Sequence, residues 1–209
     1  MYYGYMKAKW NERYQGAAFY YGQVPNDFIK EVAGTIAPHS KVLCLAEGEG
    51  RNAVYLAKLG HQVVAVDQSE IGLEKLQAFA ETNQVQVKTI LADLNNYHIE
   101  QNHWDAIVSI WCHLPSPLRK KVHAECVSGL KTNGLFILES YTPQQIILKT
   151  GGPDNPDLLM TAECVRLELL GLSFLLRQEI QREIHEGQGH DGMSAVVQVL
   201  AKKCIGDFK

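Results

Sequence analysis

Val42-Leu43-Cys44-Leu45-Ala46-Glu47-Gly48-Glu49-Gly50-Arg51-Asn52 carries the strongest structural signal in this chain of 209 residues. Its first four residues are apolar and predict a short buried strand, and its two glycines predict a turn. The apolar spacing of Ala53–Leu59 then predicts a helix that Gly60 ends at its C′ position. A strand, a glycine-bearing turn and a helix in this order predict a cradle for a nucleotide-type ligand. Glycine lets the backbone approach such a ligand, and the free N–H groups of the helix start attract its negative groups.

A carboxylate follows this unit at a characteristic distance. Gln62–Asp67 is apolar except at its ends and predicts a second buried strand that ends in Asp67. Asp67 lies about 20 residues beyond the first glycine, where an acidic residue can hydrogen-bond both ribose hydroxyls of a nucleotide. The glycine pattern is incomplete, because Ala53 occupies the place of a third glycine. A purely structural turn is therefore the alternative interpretation.

Composition restricts the class of protein. The net charge of −3 argues against general nucleic-acid binding, which needs a basic surface. The sequence contains no apolar run of eighteen residues and no basic-then-apolar leader, so we expect a cytoplasmic protein without a membrane partner. The cysteines are dispersed and predict reduced thiols, with neither a disulfide framework nor a metal site. They are Cys44, Cys112, Cys126, Cys164 and Cys204.

Strands and helices alternate through the middle of the chain. Val85–Leu91, Ala106–Trp111 and Leu135–Ser140 predict three more strands. Helices are predicted between them, one capped by Ser69 and one capped by Ser116 and stopped at Asn133-Gly134. This order predicts an α/β fold with a mostly parallel sheet and helices on both faces, which binds ligands beyond the carboxyl ends of its strands.

The two ends of the chain have less pattern. Residues 1–24 are rich in Tyr and Trp, and Trp10–Tyr14 predicts a short helix. This segment is interpreted either as an arm packed on the domain or as a lid over the ligand site. Pro25 then predicts the start of another helix. Within 150–209, a breaker-rich loop and a helix over Thr161–Leu170 precede two strands. These strands, residues 173–184 and 193–202, predict an antiparallel hairpin with a loop over 185–192. We therefore predict one domain over residues 1–209.

The chain as a whole resembles the class I S-adenosylmethionine-dependent methyltransferases. Within that class it is most similar to the small tellurite-resistance and thiopurine-methyltransferase-like group. The resemblance implies a Rossmann-like sheet of seven strands with an antiparallel C-terminal hairpin, and S-adenosylmethionine as cofactor. The residues that carry it are Gly48–Asn52, Leu56–His61, Val64–Asp67, Ala92–Leu94, Trp10–Tyr14 and Tyr21-Gly22.

The resemblance also implies roles for residues at the strand ends. The backbone of Ala46, Gly48 and Gly50 would hold the methionyl part, and Arg51 would meet the methionyl carboxylate or the substrate. Asp67 would bind the ribose hydroxyls.

The remaining implied positions surround the purine and the sulfonium. Gln68 would lie beside the adenine, Asp93 would accept a hydrogen bond from its amino group, and Leu94 would offer a backbone N–H. Ser109 to Trp111 would border the sulfonium.

The chain departs from the class at two positions. The class usually has an acidic residue where Cys44 stands and glycine where Ala46 stands. We expect Glu47 or Glu49 to replace the lost carboxylate next to the cationic amino group. Ala46 can supply the same backbone groups if its torsion angles are ordinary.

The chemistry of the methyl acceptor is less constrained. Methyl transfer is an in-line displacement in which the cofactor supplies the reactive carbon. His113 is a candidate base or a polar wall residue, and Arg13 is either a grip for an anionic acceptor or an ion pair that pins the arm. His185 and His190 are interpreted as loop residues or as parts of the acceptor site.

Three functions therefore remain open. The first is methyl transfer to a small molecule, for instance a thiol or a chalcogen oxyanion. The second is a cofactor-binding sensor without catalysis, and the third is a nicotinamide-dependent oxidoreductase. The oligomeric state is left open.

Overall fold

The protein contains one seven-stranded sheet. The computed structural model describes the backbone of residues 2–204, and its side chains from residue 7 onward. The predicted termini of the domain, residue 1 and residues 205–209, lie outside the described residues. Strand order is β3-β2-β1-β4-β5-β7-β6. The strands are β1 Lys41–Leu45, β2 Gln62–Asp67, β3 Val87–Leu91, β4 Trp104–Ile110, β5 Leu130–Tyr141, β6 Leu172–Glu186 and β7 His190–Lys203.

The first five strands are parallel, and β7 runs antiparallel to both β5 and β6. This arrangement confirms the predicted mostly parallel sheet with an antiparallel C-terminal hairpin. Helices cover both faces of the sheet. They are α1 Tyr2–Tyr14, α2 Asp27–Val32, α3 Arg51–Lys58, α4 Glu70–Thr82, α5 Ser116–Gly129, α6 Gln145–Leu148 and α7 Ala162–Glu168. None of the helices in the described part of the chain has the length and apolarity that crossing a membrane requires.

The apolar run of β1 is explained by burial on both faces of the sheet. Val42 and Cys44 belong to the core under α2, α3 and α4, whereas Leu43 and Leu45 belong to the core under α5 and α7. Successive side chains of a strand point to opposite faces, so a central parallel strand needs apolar residues at every position. Cys44 is fully buried here, because its side chain points into the first core and away from solvent.

The predicted boundaries of α5 are wrong at both ends. Pro115, and not Ser116, is its N-cap residue, and the helix ends at Gly129. Leu130 already pairs with Trp104 of β4, so the chain has entered the sheet before Asn133. The register between β4 and β5 shifts directly afterwards, and Asn133 has a φ of 67°. Asn133-Gly134 is therefore an irregularity inside a strand and does not stop a helix.

The C-terminal hairpin is longer than predicted. Strand β6 extends to Glu186 and β7 begins at His190, so the turn contains only residues 187–189. Most of the predicted loop is paired backbone, because Glu186 faces His190 across the ladder. The turn also contacts the N-terminal arm, since the backbone N–H of Gln188 donates to the carbonyl of Tyr20 at 2.8 Å.

The aromatic arm packs across the carboxyl ends of the strands. Lys75 of α4 donates to the carbonyl oxygens of Gly16 at 2.9 Å and Ala18 at 2.8 Å, and Phe19 packs against Phe79 with ring centroids 5.1 Å apart. These contacts place the arm over the edge of the sheet where the sequence predicts a ligand site.

Candidate functional site

A cleft opens at the carboxyl ends of β1, β2 and β4, between the arm and the start of β7. It encloses about 1170 Å³, including space that opens to solvent. The predicted site residues that line it are Ala46, Glu47, Gly50, Arg51, Asp67, Gln68, Asp93, Leu94, Trp111 and His113.

Three predicted site residues do not line the cleft. Gly48 lies behind it, with its N–H donated to Asp67 at 2.8 Å. Ser109 is buried inside β4, directly before Ile110 and Trp111, which line the cleft. Arg13 instead donates to the hydroxyl of Tyr21 at 2.7 Å.

Ala46 has an unusual backbone conformation. Its φ is 50°, in the left-handed region that favours glycine, so the condition that its torsion angles be ordinary is not met. The two glycines of the turn are required by packing as well as by torsion. A Cβ on Gly48 would lie 2.5 Å from the hydroxyl of Tyr14, and one on Gly50 would lie 2.2 Å from Leu76. Side chains of α1 and α4 therefore pack directly against the backbone of the turn, at the two positions where glycine leaves room for them.

Glu47 provides a carboxylate at the cleft. One of its oxygens accepts from the backbone N–H groups of Asn52 at 3.0 Å and Ala53 at 2.7 Å, which belong to the first turn of α3. Its second oxygen has no hydrogen-bond partner among residues 7–204. Burial raises the pKa of Glu47 to about 7. Glu47 thus presents a carboxylate oxygen without a protein partner to the cleft, as the replacement hypothesis requires.

Glu49, the other candidate replacement, also lines the cleft, but its carboxylate is engaged by protein groups. It forms an ion pair with Lys75 and accepts from the backbone N–H of Tyr20 at 2.8 Å. Both partners hold the arm against the domain. Of the two glutamates, Glu47 is therefore the better placed to meet a cationic ligand group.

Asp67 lines the cleft at the end of β2. Its oxygens accept from the N–H groups of Gly48 at 2.8 Å and Ser69 at 2.7 Å. Burial raises the pKa of Asp67 to about 6. Each carboxylate oxygen has a second lone pair, so both can still accept from a ligand diol. Ser69 also caps α4 as predicted, because its hydroxyl accepts from the N–H of Gly72.

Asp93 and Leu94 follow β3 at the same rim. One oxygen of Asp93 accepts from the N–H of Asn95 at 2.8 Å, which leaves the other oxygen without a protein partner in the described chain. Leu94 is 8% exposed and lines the cleft. A free carboxylate oxygen next to an apolar side chain suits the edge of a purine that carries an amino group.

Arg51 is held by the C-terminal hairpin. Its guanidinium donates to Glu186 at 2.6 Å, and both side chains are buried. The same carboxylate accepts from the indole N–H of Trp111 at 2.7 Å and from Asn26 at 2.9 Å, and contacts Nδ1 of His190 at 3.3 Å. Glu186 therefore connects the glycine turn, β4 and the hairpin at one side of the cleft.

Sequence reasoning missed several residues of the cleft wall. Tyr14 and Tyr21 line it, which agrees with the lid interpretation of the arm, and Leu158 comes from the loop before α7. For His190, the sequence left open a loop residue or a part of the acceptor site; it lines the cleft and is 3% exposed, so the loop alternative is wrong. The glycines around it predicted a solvated loop, and only the pairing of β6 with β7 shows otherwise. His185 is exposed, as a loop residue would be.

Comparison with known proteins identifies the domain. Residues 42–134 match a family model described as a methyltransferase domain. Over these residues the chain is therefore similar to a methyltransferase domain. It is 37% identical over 81 residues to the probable S-adenosyl-L-methionine-dependent methyltransferase TehB of Haemophilus influenzae, a match covering 39% of this chain and 28% of TehB. It is 27% identical over 128 residues to the uncharacterized methyltransferase YbaJ of Bacillus subtilis, covering 61% and 48%. The chain thus spans less than half the length of these relatives.

Solved structures support the same fold. The crystal structure of TehB from Haemophilus influenzae superposes with a TM-score of 0.68 at 22% identity, covering 94% of this chain and 66% of that one. A structure described as "Conversion of a Disulfide Bond into a Thioacetal Group during Echinomycin Biosynthesis" superposes with a TM-score of 0.74 at 16% identity, covering 95% and 92%. At these identities the superpositions establish the methyltransferase fold alone.

The residues of the cleft fit the cofactor of the class, S-adenosylmethionine. The cofactor carries two positive charges, on its ammonium and sulfonium, together with a ribose diol and an adenine amino group. The cleft offers one carboxylate for each hydrogen-bonding part, in Glu47, Asp67 and Asp93. Carboxylates are the strongest acceptors for such groups, and their charge also favours a cation. Because Arg51 is paired with Glu186, the methionyl carboxylate would meet the backbone of the glycine turn.

Proposed function

We propose that this protein transfers the methyl group of S-adenosylmethionine to a small-molecule acceptor. The observation that carries the proposal is the meeting of Glu47, Asp67 and Asp93 in one cleft, from three different strand ends. We assign Glu47 to the ammonium, Asp67 to the ribose diol and Asp93 to the adenine amino group. Trp111 and His113 then border the methyl group from the end of β4.

The bound cofactor supplies a methyl carbon that is activated by its positively charged sulfur. The residues of this chain would bind and orient it, while the aromatic side chains of the arm exclude water from the reacting atoms. Tyr14 and Tyr21 line the cleft from the arm, and Lys75 holds the arm through three backbone carbonyls. Alignment and exclusion of water are the main requirements of an in-line displacement.

Soft acceptors are favoured by the low basicity of His113. Burial and the neighbouring His190 lower the pKa of His113 to about 4, so this imidazole is a weak base at neutral pH. A thiol or a chalcogen oxyanion requires little help with deprotonation, and both classes are therefore candidates for the acceptor.

The two other functions lack a supporting feature. The sensor hypothesis depended on the missing acidic residue at Cys44, and Glu47 provides a carboxylate in the cleft. The oxidoreductase hypothesis depended on the glycine turn alone, and the family match of residues 42–134 is to a methyltransferase domain.

Calorimetric titration with S-adenosylhomocysteine tests the cofactor assignment. We expect Asp67→Asn and Asp93→Asn to weaken binding roughly 10- to 100-fold, the range for losing one or two hydrogen bonds to a charged group. Asp154→Asn, in an exposed loop, is the matched control. Unchanged affinity in both cleft variants would refute the assignment.

Transfer of a labelled methyl group from S-adenosylmethionine then tests catalysis. Binding without transfer to any acceptor would favour the sensor, and binding of a nicotinamide nucleotide in place of S-adenosylhomocysteine would favour the oxidoreductase. Both outcomes can be read in the same purified protein.

A further inference from the structure

Aromatic rings form the wall of the cleft between β4 and the hairpin. The rings of Trp111 and His190 lie 4.8 Å apart between centroids, and those of Tyr21 and His190 lie 4.6 Å apart. Tyr141 stacks behind Trp111 at 4.4 Å and lies parallel to His113 at 5.7 Å. Two imidazoles, from His113 and His190, are thus held in fixed orientations by neighbouring rings.

The Nδ1 atom of each imidazole lies close to an oxygen that can only accept a hydrogen bond. His113 Nδ1 lies 3.2 Å from the carbonyl oxygen of Leu158, and His190 Nδ1 lies 3.3 Å from a carboxylate oxygen of Glu186. The hydroxyl of Ser140, which can accept as well as donate, lies farther from His113 Nδ1, at 3.4 Å. Since the carbonyl and the carboxylate cannot donate, each Nδ1 is assigned the proton from the hydrogen-bond network. In the neutral ring the lone pair is then on Nε2.

These Nε2 atoms lack partners. His113 Nε2 is shielded from solvent without a hydrogen bond, and Nε2 of His190 makes none to the described residues. Burial lowers the pKa of both imidazoles, so both rings are neutral near pH 7. A buried acceptor atom without a partner is costly, and a ligand that donates a hydrogen bond removes this cost.

The charges around the cleft disfavour an anionic acceptor. The guanidinium of Arg51 is bound to Glu186, and that of Arg13 lies over the rings of Trp10 and Tyr20 at 4.7 and 5.0 Å. An oxyanion would meet lone pairs and carboxylates here, with both of these guanidinium groups already engaged.

We propose that His113 and His190 form the subsite for the methyl acceptor and select a neutral molecule whose nucleophilic atom bears hydrogen, over an oxyanion. This inference rests on the proposed methyl transfer and chooses between its two acceptor classes. An S–H, N–H or O–H group donates to Nε2 of one imidazole, which points a lone pair of its nucleophilic atom away from that ring.

The transfer is balanced in atoms and electrons. The lone pair of the nucleophilic atom forms the new bond to the methyl carbon, and the electrons of the breaking C–S bond return to sulfur. The proton of the acceptor passes to Nε2 of the imidazole and then to water. The positive charge therefore moves from the sulfonium to an imidazole ring within the same cleft, which is lined by carboxylates.

Two substitutions test the subsite by removing Nε2 while keeping an N–H donor near the position of Nδ1. Asparagine places an N–H close to the position of histidine Nδ1, so His113→Asn and His190→Asn retain the bonds to Leu158 and Glu186 while removing Nε2. His185→Asn, on the same hairpin but exposed, is the matched control.

Methyl transfer would be measured with paired acceptors of similar size. The neutral probes are mercaptoethanol, benzyl mercaptan, aniline and phenol. The anionic probes are mercaptoacetate, the para-carboxylate of benzyl mercaptan, and selenite. We expect kcat/KM to be at least roughly tenfold higher for the neutral thiol of each pair, and to fall about tenfold in either cleft variant, the effect of one hydrogen bond. Affinity for S-adenosylhomocysteine should stay within about twofold of the parent.

Several results would overturn the inference. They are equal or preferred use of the anionic probes, unchanged kcat/KM in both cleft variants, and no transfer to any neutral probe by protein that binds S-adenosylhomocysteine. Absence of cofactor binding in the parent protein would instead refute the proposed function, so the two failures are distinguishable.

Discussion

Arg51 and Glu186 are 135 residues apart in the chain, and their side chains form a buried ion pair of 2.6 Å at the edge of the cleft. Arg51 is the first residue of α3, and Glu186 is the last residue of β6. The guanidinium beside Glu186, together with His190, holds the pKa of this carboxyl well below its usual range despite its burial. The ion pair therefore connects the start of α3 with the end of β6, and the carboxylate of Glu186 stays ionised.

Replacing Glu186 should destabilise the protein strongly. Glu186→Ala leaves the buried Arg51 without its counter-ion, and breaking a buried pair in this way costs about 3–5 kcal/mol of the free energy of unfolding. Urea denaturation would measure the change. Glu183→Ala, on the same strand but exposed, should stay within about 0.5 kcal/mol of the parent. A loss below about 1 kcal/mol for Glu186→Ala would show that the pair is not important for stability.

Cofactor affinity should fall as the solution becomes acidic. Burial raises the pKa of Glu47 to about 7 and that of Asp67 to about 6, so both carboxylates take up protons between pH 8 and pH 5.5. Protonation removes the negative charge that would attract the ammonium and sulfonium. We expect the Kd for S-adenosylmethionine to be at least about tenfold higher at pH 5.5 than at pH 8. Calorimetry at both values would measure it.

The stability of the free protein should change in the opposite direction over this range. Both folded pKa values exceed the ordinary pKa values of 4.5 for glutamate and 3.8 for aspartate, so at these two groups the folded protein binds more protons than the unfolded chain. The contribution of these two groups to stability therefore decreases as pH rises from about 4 to about 7.

Glu47→Gln should flatten the pH dependence of cofactor affinity, whereas Glu163→Gln, at an exposed residue, should leave it unchanged. Identical profiles in parent and Glu47→Gln would contradict the assignment of Glu47.

Replacing Ala46 with glycine should stabilise the turn. A non-glycine residue with a φ of 50° is strained by about 1–2 kcal/mol, and the greater backbone freedom of glycine in the unfolded chain offsets about half of this. The expected gain in the free energy of unfolding is about 0.5–1 kcal/mol. Ala78→Gly, on the exposed face of α4, should instead cost about 1 kcal/mol. Equal losses in both variants would show that Ala46 is not strained.

Lys75 should control the mobility of the arm. Its ammonium donates to the carbonyls of Tyr14, Gly16 and Ala18 at 3.3, 2.9 and 2.8 Å. We expect Lys75→Met to accelerate hydrogen exchange in residues 15–20 and to lower the free energy of unfolding by about 1–3 kcal/mol. Lys88→Met, at an exposed position of β3, is the control and should change neither. Unaltered exchange in the Lys75 variant would mean that the arm is held by its aromatic contacts alone.

Local pattern was sufficient for β2 and for the start of α4, whereas the first helix is longer than the predicted Trp10–Tyr14 and covers Tyr2–Tyr14. Gln62–Asp67 is a strand with the predicted limits, and Ser69 caps α4 as expected. These elements have continuous apolar runs or clear capping residues, so neighbours in sequence determine them. The end of α5 and the hairpin turn were predicted wrongly. There the backbone conformation depends on pairing with strands that are distant in sequence, and pairing overrides the turn signal of glycine and asparagine.

The same distinction applies to the cleft. Residues that directly follow the strands, such as Asp67 and Asp93, could be assigned to one rim from the sequence, because parallel strands end at the same edge of a sheet. The state of Arg51 could not be assigned, since Glu186 lies on the opposite end of the chain. Nor could the burial of His190, which depends on the pairing of β6 with β7 and on the arm above it.

Sequence alone therefore determined the order of the strands along the chain, the edge of the sheet that binds a ligand, and the two aspartates that face it. Tertiary structure alone decided which glutamate is free to meet a cation, which arginine is already paired, and which histidines reach the cleft. The reason is physical: backbone periodicity is set by adjacent residues, whereas the burial and charge state of a side chain are set by whatever the fold brings against it.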